Sequence, residues 1–255
     1  MLKQALAAIL FAYATVAHSG TCQKPIYLTF DTGNMAVADH VAEVLKKHQV
    51  KATFFLANEK TPRGDFSLDD SWAAYWRERV KEGHVFASHT FDHTYWQSDV
   101  GSQVRVKSQF GEFAGKVRLV SQEQVCRDIK AVDERFKKMT GQNVSPMWRA
   151  PGGKTSPQLL QMGLQCGFAH VAWSAAGFLG DELPSDKYPN HGLLERALKN
   201  IRQGDILMAH LGIWSRKDPW APAVLEPLIV GLKQKGFCFE LLSPQQQHPK
   251  ISRIM

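Results

Sequence analysis

Ile26-Tyr27-Leu28-Thr29-Phe30-Asp31-Thr32-Gly33 runs from apolar and β-branched residues straight into an acid, a hydroxyl and a glycine. A short buried strand has that composition, and the carboxyl end of such a strand is where α/β folds place reactive groups. The same apolar pattern recurs at Ala52 to Leu56, Val85 to Ala87, Met147 to Ala150, Phe168 to Trp173, Ile206 to Ala209 and Phe237 to Leu242. Between these runs the spacing predicts helices. Val37, Val41, Val44 and Leu45 share one face of Val37 to Lys47, and Ser121 with Gln124 has capping-box spacing ahead of Val125, Ile129, Val132 and Phe136. Ser156-Pro157 reads as an N-cap followed by a first-turn proline. Leu193 to Ile201 and Ala223 to Lys235 complete the set, the last closed by Gly236. Strands alternating with helices describe a parallel sheet with helices outside it, and the lack of any visibly guarded edge favours closure into a barrel. Tyr95 to Val120 is polar, glycine-containing and weakly periodic, so it reads as a long connection of the kind that forms a lid or substrate loop.

The flanks of this pattern set the context. Ala5 to Ala17 is an apolar run behind Lys3, shorter than the roughly 20 residues a membrane span requires, and Ala17-His18-Ser19 offers a cleavage site. Residues 1–19 therefore read as a signal peptide, 20–255 as a single domain, and the protein as exported to the periplasm or beyond, without stable membrane insertion. Cys22, Cys126, Cys166 and Cys238 lie far apart with no C-x-x-C, which excludes a zinc ribbon and leaves one or two disulfides or buried thiols open, in any pairing. The formal charge is +7, but no run of five or more Lys/Arg occurs, so nucleic acid is not an expected partner.

Five strand ends carry candidate chemistry: Asp31-Thr32-Gly33-Asn34, Ser88 to His93, Arg149 to Gly153, Trp173-Ser174 and His210. His89 and His93, four apart, can reach one metal ion if their segment forms a helical turn. Asp31 is either a strand-end cap or a catalytic carboxylate, and His210 either a core histidine or an acid. On separate strand ends of one face, the two could be base and acid across a cleft.

Taken in order, these residues resemble a known family. Thr29-Phe30-Asp31-Thr32-Gly33 resembles the TFDDG motif of NodB-like polysaccharide deacetylases, carbohydrate esterase family 4. Gly83-His84 through His89-Thr90-Phe91-Asp92-His93 is similar to that family's G-H-x-x-x-x-H-[ST]-x-x-H segment, Arg149 to Gly153 to its R-x-P-x-G motif, and Leu207-Met208-Ala209-His210 to its late strand ending in histidine. The resemblance runs from about Lys24 to Ser243 and implies a distorted (β/α)7 barrel that binds a divalent metal, usually zinc, and hydrolyses N-acetyl groups of amino sugars. It implies Asp31 as general base, His89 and His93 as metal ligands, Arg149 orienting Asp31, His210 as the acid for the leaving amine, and the Gly152 N–H on the oxyanion. Two positions depart from the family pattern. Thr32 stands where a third, anionic ligand is usual, which implies weaker metal binding. Gly152 replaces an aromatic, which implies a wider groove with room for the lactyl-bearing sugar of peptidoglycan. The fourth motif is only echoed by Trp173-Ser174 and Asp181, so Asp181 takes no role. The expected function is a metal-dependent N-deacetylase of an envelope or extracellular polysaccharide, with peptidoglycan favoured over chitin-like polymers or poly-N-acetylglucosamine. The alternatives are a hydrolase of another amide, imide or ester on this scaffold, and a glycan-binding module of weak or no activity. Trp96, Trp214 and Trp220 are candidate sugar-stacking residues.

Overall fold

The computed structural model describes residues 22–244; the expected signal peptide lies outside them. In chain order the elements are β1 (Pro25–Asp31), α1 (Ala38–Lys47), β2 (Thr53–Leu56), α2 (Ala73–Lys81), β3 (Val85–Ser88), β4 (Thr94–Val100), β5 (Gln103–Ser108), β6 (Val117–Val120) and α3 (Gln122–Thr140). They continue with β7 (Met147–Trp148), α4 (Pro157–Gln165), β8 (Ala169–His170), α5 (Asn190–Asn200), β9 (Ile206–His210), α6 (Glu226–Gln234) and β10 (Cys238–Phe239). Seven of the strands form one parallel sheet in the order β10-β1-β2-β3-β7-β8, with β9 pairing on the other side of β1. The gap between β8 and β9 is spanned by irregular chain: Ser174 N–H donates to Ile206 O at 3.1 Å and Leu179 N–H to Met208 O at 3.2 Å. The expected distorted barrel of seven strands in one domain is the fold observed.

Two apolar layers follow from strand alternation. Outward residues such as Leu28, Phe30, Phe54 and Phe86 pack with the helices, where Trp76 and Phe136 close on Phe86 with ring centroids 6.1 and 4.5 Å away. Inward residues form a smaller cluster of Tyr27, Phe55, Ala87, Met147, Val171, Ile206 and Leu242 that plugs the barrel. The helix ends obey their local chemistry: Ser121 N–H donates to Gln124 Oε1 at 2.8 Å, and Ser156 Oγ accepts from Leu159 N–H at 3.0 Å.

Two expectations are corrected. Residues 95–120 are not an unstructured connection: β4, β5 and β6 build a separate antiparallel sheet. Its signal is the alternation in β5, where Val104, Val106 and Ser108 are buried and Arg105 and Lys107 exposed. Helix α2 was not expected, because its nine residues bury little besides Ala73 and Trp76 and leave a weak periodic stripe. All four cysteines pair, Cys22 with Cys238 and Cys126 with Cys166. Among the described residues no helix is long and apolar enough to cross a membrane.

Candidate active site

Strand register assembles the center of the site. In the β1–β9 ladder Asp31 sits opposite His210, so both side chains leave the sheet on the same side at its carboxyl end. Thr29, two residues earlier, shares that inward face. Arg149, wholly buried just after β7, reaches across the barrel: its Nη1 donates to Asp31 Oδ1 at 2.6 Å and to Thr29 Oγ1 at 2.9 Å, and its Nε to Val171 O at 3.1 Å. The guanidinium also lies 3.9 Å over the Phe55 ring, so the apolar plug is capped by a buried ion pair. Burial by itself would raise the Asp31 pKa, but the charges of Arg149 and His210 hold it below the usual carboxylate range. Asp31 is an ionised carboxylate at neutral pH.

His210 is built as its complement. Burial by itself would lower its pKa, but the Asp181 carboxylate outweighs this and, with Asp31 and Glu182, carries it up to about 10. Asp181 accepts from the His210 backbone N–H at 2.7 Å and lies 3.1 Å from Nδ1, which leaves Nε2 as the outward, protonated nitrogen. Asp181, which takes no role on sequence alone, is thus the residue that orients His210 and favours its charged form.

His89 and His93 are brought together, but not by a helical turn. The segment after β3 is irregular, with Thr90 at φ 60° and His93 at φ 48°, and it sets the two rings edge to face, 4.9 Å apart. His89 Nδ1 lies 2.9 Å from Arg149 O, and a carbonyl only accepts, so Nδ1 carries the proton. Burial lowers the pKa of His89, so the neutral ring presents a bare Nε2, 3.5 Å from Asp31 Oδ2. Burial, with His89 beside it, likewise pushes His93 down to about 3, and its Nδ1 is buried without a hydrogen-bond partner. Thr32 does not join them. Its hydroxyl donates to Phe55 O at 3.1 Å and accepts from Ala57 N–H at 2.8 Å, so it stitches the end of β1 to β2. Among the described residues no cluster of three His, Cys, Asp or Glu side chains is disposed to hold an ion.

The width argument from Gly152 also fails. Gly152 sits at φ 66°, and a Cβ placed on it would stand 3.1 Å from Cε1 of Tyr95. The Tyr95 ring, delivered by β4, fills the space that the glycine opens. Trp173 similarly lies against Gly153, 2.7 Å from where a Cβ would stand. Of the tryptophans singled out from sequence, Trp220 is core, while Trp214 is exposed.

Glu59 was missed altogether. It follows β2, is buried, and accepts from Gly33 N–H at 2.8 Å through Oε1. Burial pushes its carboxyl up to about 7, although His210 pulls the other way. No motif flags it; only the position a few residues past a strand end could have done so.

A family model described as polysaccharide deacetylase matches residues 18–171. Over 230 residues the chain is 26% identical to a chitooligosaccharide deacetylase of Azorhizobium caulinodans, covering 86% of this chain and 93% of that one. It is 27% identical over 221 residues to the peptidoglycan-N-acetylmuramic acid deacetylase PdaA of Bacillus subtilis, covering 86% and 70%. Among solved structures it is similar in fold to a family 4 acetyl xylan esterase from Clostridium thermocellum in complex with a cobalt ion, with a TM-score of 0.63, 22% identity and coverage of 86% and 88%. The buried Asp31–Arg149 pair, the two imidazoles and the His210–Asp181 pair therefore sit in a chain that belongs to the polysaccharide deacetylase family of hydrolases.

Proposed function

We propose that this protein removes N-acetyl groups from the amino sugars of an extracellular or envelope polysaccharide, with a divalent metal at His89 and His93. The observation that carries the reading is the placement of Asp31, held by Arg149, directly opposite His210, held by Asp181, on adjacent strand ends. Amide hydrolysis needs a base for water and an acid for the departing amine, and here each group holds the protonation state its task requires. The pair fits a metal by its donor chemistry: one neutral imidazole with its Nε2 bared by a carbonyl on Nδ1, and one with an orphaned buried nitrogen. Such an ion, when bound, supplies Lewis-acid polarisation of the acetamide carbonyl. Thr32 would take no part in holding it, since its hydroxyl is used by backbone.

The chain's own residues do the rest. Asp31 Oδ2, the oxygen not held by Arg149, accepts a proton from the attacking water. Arg149 keeps the carboxylate ionised and aimed. His210 passes its Nε2 proton to the amine as the carbon–nitrogen bond breaks, and Asp181 stabilises the ring before that transfer. The N–H of Gly152 is the donor proposed for the developing oxyanion. The relatives named as chitooligosaccharide and peptidoglycan deacetylases support the substrate class. The two disulfides support action in an oxidising compartment, as does the leader-like start.

The test is acetate release from N-acetylglucosamine oligomers, peptidoglycan and poly-N-acetylglucosamine, run beside elemental analysis of the purified protein. Wild type should release acetate and carry a divalent ion that the His89→Ala/His93→Ala variant lacks. Equal metal content in both proteins would refute the metal site, and no acetate from any glycan would refute the activity. Mass analysis of exported protein should show cleavage after Ser19.

A further inference from the structure

The bare turn at Gly152 and Gly153 is flanked by two rings. Trp173 covers one glycine and lies 5.6 Å over the Arg149 guanidinium. Tyr95 covers the other, and its ring meets that of His93 edge to face at 5.0 Å. The Tyr95 hydroxyl does not point at the turn; it donates to Gln109 Oε1 at 3.1 Å. Gln109 in turn donates its N–H toward Asp92 O and His93 O, at 3.2 and 3.3 Å. Tyr95 is therefore held at three points: its backbone in β4 opposite Lys107, its ring edge on Gly152, and its hydroxyl on the residue that closes the His93 turn. These contacts place the ring between His93 and the Gly152 turn. It remains part exposed, beside the imidazole and the backbone turn that an acetamide must reach.

We propose that Tyr95 is a substrate-contacting wall of the site, against which the reacting sugar lies, and that it sets how wide that sugar can be. It admits an N-acetylated sugar with a free hydroxyl next to the acetamide and excludes one carrying a lactyl ether there. An aromatic face suits the apolar C–H face of a pyranose, and a ring that fills the space over Gly152 narrows the groove against a branched sugar. The assignment rests on the deacetylase reading above and narrows its substrate.

The experiment compares kcat/KM for acetate release from N-acetylglucosamine residues and from N-acetylmuramyl residues. Wild type should favour the former, and Tyr95→Ala should shift the ratio toward the muramyl sugar by roughly tenfold or more, the scale on which a pocket discriminates one substituent. Tyr95→Phe, which keeps the ring, should keep the wild-type ratio. Tyr95→Val serves if the alanine variant does not fold. A wild type that prefers the muramyl sugar overturns the proposal, as does a Tyr95→Ala protein that loses both activities in equal proportion. Calorimetric binding of N-acetylglucosamine oligomers to Asp31→Asn and to Asp31→Asn/Tyr95→Ala separates the two readings. Weaker binding in the double variant supports the wall even if no glycan is deacetylated, and equal binding refutes it.

Discussion

The two sheets serve the site in opposite ways. The parallel sheet carries the proposed catalytic groups, which are almost fully buried: Asp31, His89 and Arg149 are 2, 1 and 0% exposed, and Asp31 is fixed opposite His210 by ladder register. The antiparallel sheet supplies shape from its margin. It presents Tyr95 on one strand, leaves Val117 and Leu119 open on another, and packs on the barrel through one face of β5. A register cannot slip by one residue without turning every side chain of the strand over, so the reacting groups are locked to the fold. A peripheral sheet is free of that constraint, and the wall it carries can change while the chemistry stays.

Altering the buried ion pair should give the largest effect. Arg149→Met leaves Asp31 buried without its partner, which should cost about 3–5 kcal/mol in thermal or denaturant unfolding. Asp31→Asn should instead fold and lose roughly 10²–10⁴ in kcat as the base disappears; near-normal turnover would remove Asp31 from the mechanism. Asp181→Asn comes next. With the carboxylate gone, His210 should release its proton at lower pH, so the alkaline limb of the kcat/KM profile should move toward neutrality. The same link acts on stability: because the folded pKa is raised to about 10, the stabilisation from His210 is complete below about 6.5 and lost as pH rises through 10. Asp181→Asn should flatten that alkaline decline. Glu59→Gln should act on stability in the acid range. A carboxyl raised from 4.5 to about 7 makes the metal-free protein less stable as pH climbs through that interval, and glutamine should remove the slope. Smallest of all, Leu119→Lys on the open face of β6 should leave unfolding within about 0.5 kcal/mol of wild type. A large loss there would mean that the second sheet is not as independent as its packing indicates.

Much of the barrel was legible because each strand is a short apolar run and each strand end is polar, a contrast that survives without any tertiary information. Asp31, His89, His93, Arg149 and His210 stood out for that reason, and the structure brings all five to one end of the barrel. What escaped was what depends on a partner distant in sequence. Tyr95 matters because of Gly152, 57 positions later, and neither residue announces the other. Thr32 was a candidate ligand only because it holds the position of the family motif's second aspartate, and its hydroxyl is bound to the β2 backbone instead. The helical turn that the spacing of His89 and His93 would allow is not formed, because two non-glycine residues there have positive φ, which spacing alone does not show.

The bridge between Cys22 and Cys238 spans 216 positions and joins the approach to β1 with the strand that pairs beside it. Covalently, the polypeptide between them is a ring. Closing so long a loop removes entropy from the unfolded chain worth on the order of 5 kcal/mol. A protease nick at an exposed turn such as Asp186 to Tyr188 would leave one molecule on a non-reducing gel and two fragments after reduction. A circularly permuted chain opened at that turn, with the old ends linked, should reach the same fold, because a closed ring does not record which residue comes first.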